Sequence, residues 1–339
     1  MDPESLADHP LGWAIAGLGK IASTQIAPAI ARSATSTLAS VVSRDQAKAE
    51  AFAKEHGARR GTNTYQDMLT DPEVDAVYIA TPNAMHAGQV IEAAEAGKHV
   101  LCDKPLATSV PDAERAVDAC HSNGVRLGIT FQTRFHDGVA EARRLVSDGA
   151  LGRPVIAQVQ ISAGRSLPVS WRLDPELAGL GTINNLGVHG LDVLRYILAD
   201  EVTEVTALTD NEPGYLLDTT ALVLLRFARG TLAYVNANQS VRYPQDDIAI
   251  YGTDGRVFLR NLSRPGRDGT VSVVTANGST QVPGFSRDGY LRVIDAFAAA
   301  VRENRDPSPS GEDGLRSVEL TAAIAQALAE RRAVQLNRN

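Results

Sequence analysis

Two periods of apolar residues divide the chain. Up to about Phe131, short and continuous apolar runs alternate with segments whose apolar residues recur every three to four positions. The runs at 13–16, 37–43, 75–80, 99–103 and 125–131 predict buried strands. The segments at 46–55, 84–96 and 111–123 predict helices. Pro111 falls in the first turn of the last one, where a missing N–H costs little. Strands alternating with helices of this length predict a doubly wound parallel sheet, whose ligands sit beyond the carboxyl ends of the strands.

From Arg153 the apolar period falls to two. Stretches at 154–162, 203–210, 219–227, 231–240, 246–251, 256–262 and 270–276 read as strands joined by short turns such as Gly252-Thr-Asp-Gly255 and Ala276-Asn-Gly278. They predict a large, open, mainly antiparallel sheet with one face on helices and the other available to a substrate or a subunit. Residues 288–303 and 312–332 have helical spacing, and the second helix is expected to pack back on the first domain. The fold class is therefore α/β, with a first domain over 1–131 and a second over 132–339.

The first apolar run ends in Gly17-Leu-Gly19-Lys20-Ile21-Ala22 and passes into a helical segment. In a strand–turn–helix setting, Gly17 permits the tight turn and Gly19 lets a pyrophosphate approach the backbone. Ala22 lets helix and strand pack closely. The phosphates would lie at the helix N-terminus, where N–H groups and the dipole favour an anion. This marks the first domain as a dinucleotide-binding Rossmann domain. The second strand ends in Ser43-Arg44, a hydroxyl and a guanidinium where an NAD-binding domain offers a carboxylate. Asp45 is the rival acid, but it is placed to cap the helix that follows. The tip therefore favours NADP(H), with NAD(H) as the alternative.

Two further polar clusters, Thr81-Pro82-Asn83 and Asp103-Lys104, also fall at strand ends. Lys104 stands out: beside a cationic nicotinamide it would have a lowered pKa and could hydrogen-bond a substrate oxygen. The plain alternative is a loop lysine before a proline that stops the strand. In the second half, 179–192 interrupts the strand pattern. Read as a helix from Thr182, it puts Asn185 and His189 on one face, with Asp192 a turn further on. A histidine held by a carboxylate is a natural acid/base, although a single histidine is as readily a buried, hydrogen-bonded residue.

Composition narrows the reading. A net charge of −7 with no basic run argues against a nucleic-acid partner. No apolar run reaches membrane-spanning length, so no membrane partner is expected. Two cysteines, Cys102 and Cys120, fit a reducing cytoplasm. Residues 1–10 are acidic, lack an apolar core and read as a loose tail without a secretory signal. The seven histidines show no metal-ligand spacing, so no metal is expected.

With Gly17-x-Gly19-x-x-Ala22, Thr81-Pro82-Asn83-x-x-His86, Asp103-Lys104-Pro105 and Asn185-x-Gly187-x-His189 in this order, nearly the whole chain resembles the glucose–fructose oxidoreductase/inositol dehydrogenase (Gfo/Idh/MocA) family. Trp171-Arg172, Gly252–Gly255 and Gly311-Glu-Asp-Gly314 look most like its NADP-dependent sugar branch. The resemblance implies an oxidoreductase acting on a sugar or polyol, and a homodimer or homotetramer formed through the open sheet. It implies that Lys104 is the catalytic lysine and His189 the acid/base, with Asn185 beside them. Arg134, with Lys104, Asn185 and His189, would meet substrate. Gly17, Gly19, Lys20, Ile21, Ser43, Arg44, Thr81, Pro82, Asn83, His86, Asp103, Lys104 and Gln132 would surround the cofactor, and Trp171, Arg172 and Tyr290 would help to cover it. Two departures stand out: Asp103 replaces the usual glutamate, and Asn185 replaces the usual aspartate. Asparagine can orient a hydroxyl but cannot stabilise a histidinium by charge. An NAD-linked polyol dehydrogenase and a nicotinamide-binding regulator without turnover are the rival expectations.

Overall fold

A computed structural model describes residues 9–162, 164–167, 169–261, 269–283 and 288–336. Most of the expected loose tail and residue 262 of an expected strand lie outside the described residues. The chain packs as two units, one of residues 1–132 and 290–318, the other of 133–289 and 319–339. The helix Gly311–Glu330 gives its start to the first unit and the rest to the second.

In the first unit, β1 (Leu11–Ala16), β2 (Ser36–Val42), β3 (Arg60–Thr62), β4 (Ala76–Ile79), β5 (His99–Cys102) and β6 (Leu127–Ile129) form a six-stranded sheet. Its order is β3-β2-β1-β4-β5-β6 and every pair is parallel. The continuous apolar runs follow from this: β1 has neighbours on both edges and all six of its residues are buried. β3 is too short at three residues to show a period in the sequence. Strand order reverses at β1, so the loops after β1 and β4 leave on opposite faces and open a crevice at the carboxyl ends. Trp13 of β1 packs against Phe297 of the helix Gly289–Arg302, with ring centroids 5.4 Å apart.

The second unit contains β7 (Pro154–Ser162), β8 (Val202–Asp210), β9 (Thr220–Phe227), β10 (Leu232–Asn238), β11 (Asp247–Gly252), β12 (Gly255–Arg260), β13 (Thr270–Thr275), β14 (Gly278–Pro283) and β15 (Val334–Gln335). They form a nine-stranded sheet of order β14-β13-β12-β11-β7-β10-β9-β8-β15. Only β7 and β10 pair in parallel. Ala221, Val223, Leu225 and Phe227 of β9 point inward and join a core that includes Leu191 and Leu194 of the helix Val188–Leu198. The alternate residues point outward. Leu222, Leu224, Leu232, Tyr234 and Ile156 are exposed, and their registers make one apolar patch across β7, β10 and β9. Among the described residues no helix is long and apolar enough to cross a membrane.

Candidate functional site

The sequence-marked residues of the first unit gather at the carboxyl ends of its strands. Gly17 follows β1 with φ +94°, and a Cβ there would lie 2.7 Å from the Ala80 carbonyl oxygen. Only glycine meets both conditions. Gly19 is exposed, and nothing lies within 4 Å of where its Cβ would be. Lys20 and Ile21 open the helix directly behind it, and Ala22–Ile26 form a π-helical turn with no side-chain cap. A helix whose preceding residue has no side chain leaves its first N–H groups to something else.

At the end of β2, Asp45 Oδ1 accepts from Lys48 N at 3.1 Å and caps the helix Gln46–His56. That leaves Ser43 half-buried and Arg44 exposed, with no ion pair among the described residues. After β4, Thr81 Oγ1 donates to Gln89 Oε1 at 2.5 Å, Pro82 is half-buried, and Asn83 is buried in a short 3₁₀ turn. His86 is buried, with Nδ1 2.7 Å from the Pro105 carbonyl oxygen and Nε2 2.9 Å from that of Thr81. Its ring joins the loop after β4 to the loop after β5. Burial holds its pKa below the ordinary value, against the pull of both carbonyls and of Asp103.

Asp103 Oδ1 accepts from Lys104 N at 3.0 Å, a turn that the shorter acid makes with its own neighbour. Lys104 is half-buried and precedes a cis peptide bond to Pro105. Burial, with Asp103 adding to it, pushes the Tyr290 phenol above its ordinary range. Tyr290 and Asp103 thus share one electrostatic environment within this unit. Gln132, half-buried, opens a 3₁₀ turn.

In the second unit the helix bearing Asn185 and His189 begins under a carboxylate. Asp218 Oδ1 accepts from Gly181 N at 2.7 Å and Oδ2 from Ile183 N at 2.9 Å, while its carbonyl oxygen accepts from Thr182 N at 2.8 Å. Burial raises the Asp218 pKa and these amides pull it back. The first turn, Ile183–Gly187, is π-helical rather than α-helical and leads into Val188–Leu198. Such turns recur at functional sites. His189 is buried and Asn185 half-buried. Asn185 Nδ2 donates to Gln239 Oε1 at 2.7 Å.

Arg134, expected to meet substrate, forms a buried fork with Asp192: Nε donates to Oδ2 at 2.8 Å and Nη2 to Oδ1 at 2.5 Å. The guanidinium also lies 5.0 Å from the Tyr196 ring centroid. Asp192, expected to orient His189, accepts from Arg134 with both oxygens. Trp171 and Arg172 lie together in the 3₁₀ turn Ser170–Leu173, the guanidinium 4.3 Å from the indole centroid.

Sequence reasoning missed several buried polar residues around these. Ser162 and Asn238 are register partners at the carboxyl ends of the one parallel pair, and the Ser162 hydroxyl donates to Asn238 Oδ1 at 2.9 Å. Ser162 N donates to Asp246 Oδ1 at 2.6 Å. Asn238, Gln239 and Asp246 are at most 3% exposed. The signal available was the polar run Asn236-Ala-Asn238-Gln239-Ser240 closing an apolar strand. Among the described residues no group of three or more His, Cys, Asp or Glu could hold a metal ion.

Comparison with known proteins gives consistent matches over both units. Residues 11–131 match the oxidoreductase family described as having an NAD-binding Rossmann fold, and 139–258 match the GFO/IDH/MocA C-terminal domain. The chain is 31% identical over 331 residues to 1,5-anhydro-D-fructose reductase of Ensifer adhaerens, covering 96% of this chain and 98% of that protein. It is 31% identical over 292 residues to myo-inositol 2-dehydrogenase of Thermotoga maritima, covering 83% and 85%. Among solved structures, the aldose–aldose oxidoreductase of Caulobacter crescentus complexed with glycerol matches with a TM-score of 0.89 at 29% identity, covering 97% of this chain and all of that one.

Asp218 carries the first turn of the second unit's helix, so its removal is expected to strand two buried amides. Asp218→Ala should lower stability by about 2–3 kcal/mol, the scale for buried groups left unpaired. Thermal unfolding of the variant checks this; a midpoint equal to that of the unaltered protein would show the amides satisfied in another way.

Proposed function

The chain belongs to the GFO/IDH/MocA family of nicotinamide-linked sugar and polyol oxidoreductases, and from that premise we propose that it transfers a hydride between NADP(H) and a hydroxyl or ketone carbon of a sugar or sugar derivative. The observation that carries the chemistry is the pairing of His189 with Asn185 on one helix whose first turn a buried carboxylate holds in place.

The residues present fit the cofactor. The bare backbone at Gly19 leaves room for a pyrophosphate against the first amides of its helix. Arg44, exposed while Asp45 serves as a cap, suits a 2′-phosphate. Ser43, Thr81 and Asn83 line the adjoining strand ends, with Trp171, Arg172 and Tyr290 as covering residues. When bound, the nicotinamide would take or give the hydride.

In the oxidation direction His189 takes the hydroxyl proton, as a base whose ordinary pKa lies near working pH. Lys104 donates to the same oxygen and stabilises the negative charge that develops on it. Asn185 orients a substrate hydroxyl. Arg134 supports this helix through Asp192. The outward apolar patch of the sheet, with Leu224 55% exposed, supports self-association into a dimer or tetramer through that face.

A second reading, an NAD-linked polyol dehydrogenase, draws support from the inositol dehydrogenase relative. A third, a cofactor-binding regulator, draws on Asn185, which lacks the charge of a carboxylate.

His189→Ala and Lys104→Ala are each expected to lower turnover by at least roughly 100-fold, the scale of general acid/base catalysis, with cofactor affinity retained. Nicotinamide absorbance on aldoses, inositols and keto-sugars reads the first quantity and calorimetric titration the second. Wild-type silence across that panel, in protein that binds cofactor, would turn the reading to the regulator. Arg44→Ala should weaken NADP(H) about tenfold or more while NAD(H) affinity holds, the size of a lost charge-assisted contact. An unaltered preference would remove Arg44 from cofactor selection. Leu224→Arg should convert the oligomer to a monomer by light scattering after gel filtration; a variant with the wild-type mass would move the interface elsewhere.

A further inference from the structure

Gln239 holds one end of the Asn185 side chain. It follows β10, is 2% exposed, and is fixed at both backbone groups. Its N donates to Thr219 O at 2.8 Å and its O accepts from Ser166 N at 3.2 Å. Its Oε1 accepts Asn185 Nδ2 at 2.7 Å. Its Nε2 is buried and has no hydrogen-bond partner among the described residues. An amide kept in that state is costly, and a side chain that only filled the core would be better as an apolar one.

We infer that Gln239 is a positioning residue that holds the Asn185 amide where it meets the substrate. An asparagine amide is nearly symmetrical in shape but opposite in hydrogen bonding at its two ends. With Nδ2 committed to Gln239, Asn185 turns its oxygen, an acceptor, away from Gln239. An acceptor can bond a substrate hydroxyl but not a carbonyl, whereas the amide turned over could bond either. Gln239 is also tied through Ser166 to the loop after β7, so that loop and the orientation of Asn185 share one anchor. The buried Nε2 supplies the converse device. Were residue 185 a carboxylate, rotation of the Gln239 amide would bring Nε2 to it as a donor. The inference rests on the proposed reading in which Asn185 meets substrate.

The test has a turnover arm and an arm that needs no turnover. In the first, Gln239→Met is expected to lower kcat at least about tenfold, the scale of a misplaced site group, with cofactor affinity unchanged. Gln239→Glu, which can still accept from Asn185 Nδ2, should recover most of that loss. In the second, thermal unfolding is measured for Asn185→Asp, Gln239→Glu and the double variant. Each single variant keeps a donor between the two side chains, whereas the double variant sets two carboxylates together away from bulk water on one side. Its melting temperature should therefore fall well below the sum of the single effects.

Additive melting shifts would overturn the pairing. Wild-type kcat in Gln239→Met, or failure of Gln239→Glu to rescue, would overturn the positioning role while leaving the oxidoreductase reading intact. If wild-type protein turns over no sugar while the melting effects remain coupled, it is the oxidoreductase reading that fails, and with it the substrate role of Gln239.

Discussion

A helix begins with backbone N–H groups that have no partner within it, and something must supply one. The two units answer this constraint in opposite ways. In the first, the residue before the helix is Gly19, no side chain caps the turn, and the surrounding space is open. Its first amides stay open to an anion or to water. In the second, Asp218 places its own carboxylate under the first turn, bonding Gly181 and Ile183. That helix start is complete without a ligand. Both helices carry a π turn close to their start.

The charges divide along the same line. Arg44 at the end of β2 is exposed, while Arg134 is buried in a fork with Asp192. Breaking such a buried pair by removing one member costs about 3–5 kcal/mol, because the other charge is left uncompensated. Arg134 therefore acts as a fastener of the helix that carries His189. Arg44 keeps its full capacity for a ligand, because Asp45 serves as a cap one residue away. Neighbouring charged residues in sequence thus take unrelated tasks according to which backbone groups lie within reach.

Much of this was legible in the amino-acid sequence. Continuous apolar runs marked the parallel strands because those strands are covered on both faces, and alternation marked the open sheet because one of its faces is not. The glycine turn was legible because only glycine meets its positive φ and its close approach to the Ala80 carbonyl. What escaped notice depends on partners distant in the chain. Asp218 lies 37 residues from Gly181, and no local pattern joins them. Gln239 looks like a polar residue leaving a strand until Asn185 is found against it, 54 positions away. His86 belonged to a recognisable motif, but its two carbonyl partners, in the loops after β4 and β5, are not marked by that motif. β3 and β15, at three and two residues, are too short to carry any period.

The parallel pairing of β7 with β10 in a sheet otherwise antiparallel has a consequence for change over evolutionary time. It brings two strand ends, Ser162 and Asn238, to the same rim, and a connecting segment leaves from each. Insertions or exchanges in either segment would alter the rim without removing a ladder bond. Change at that rim is thereby decoupled from the sheet beneath it.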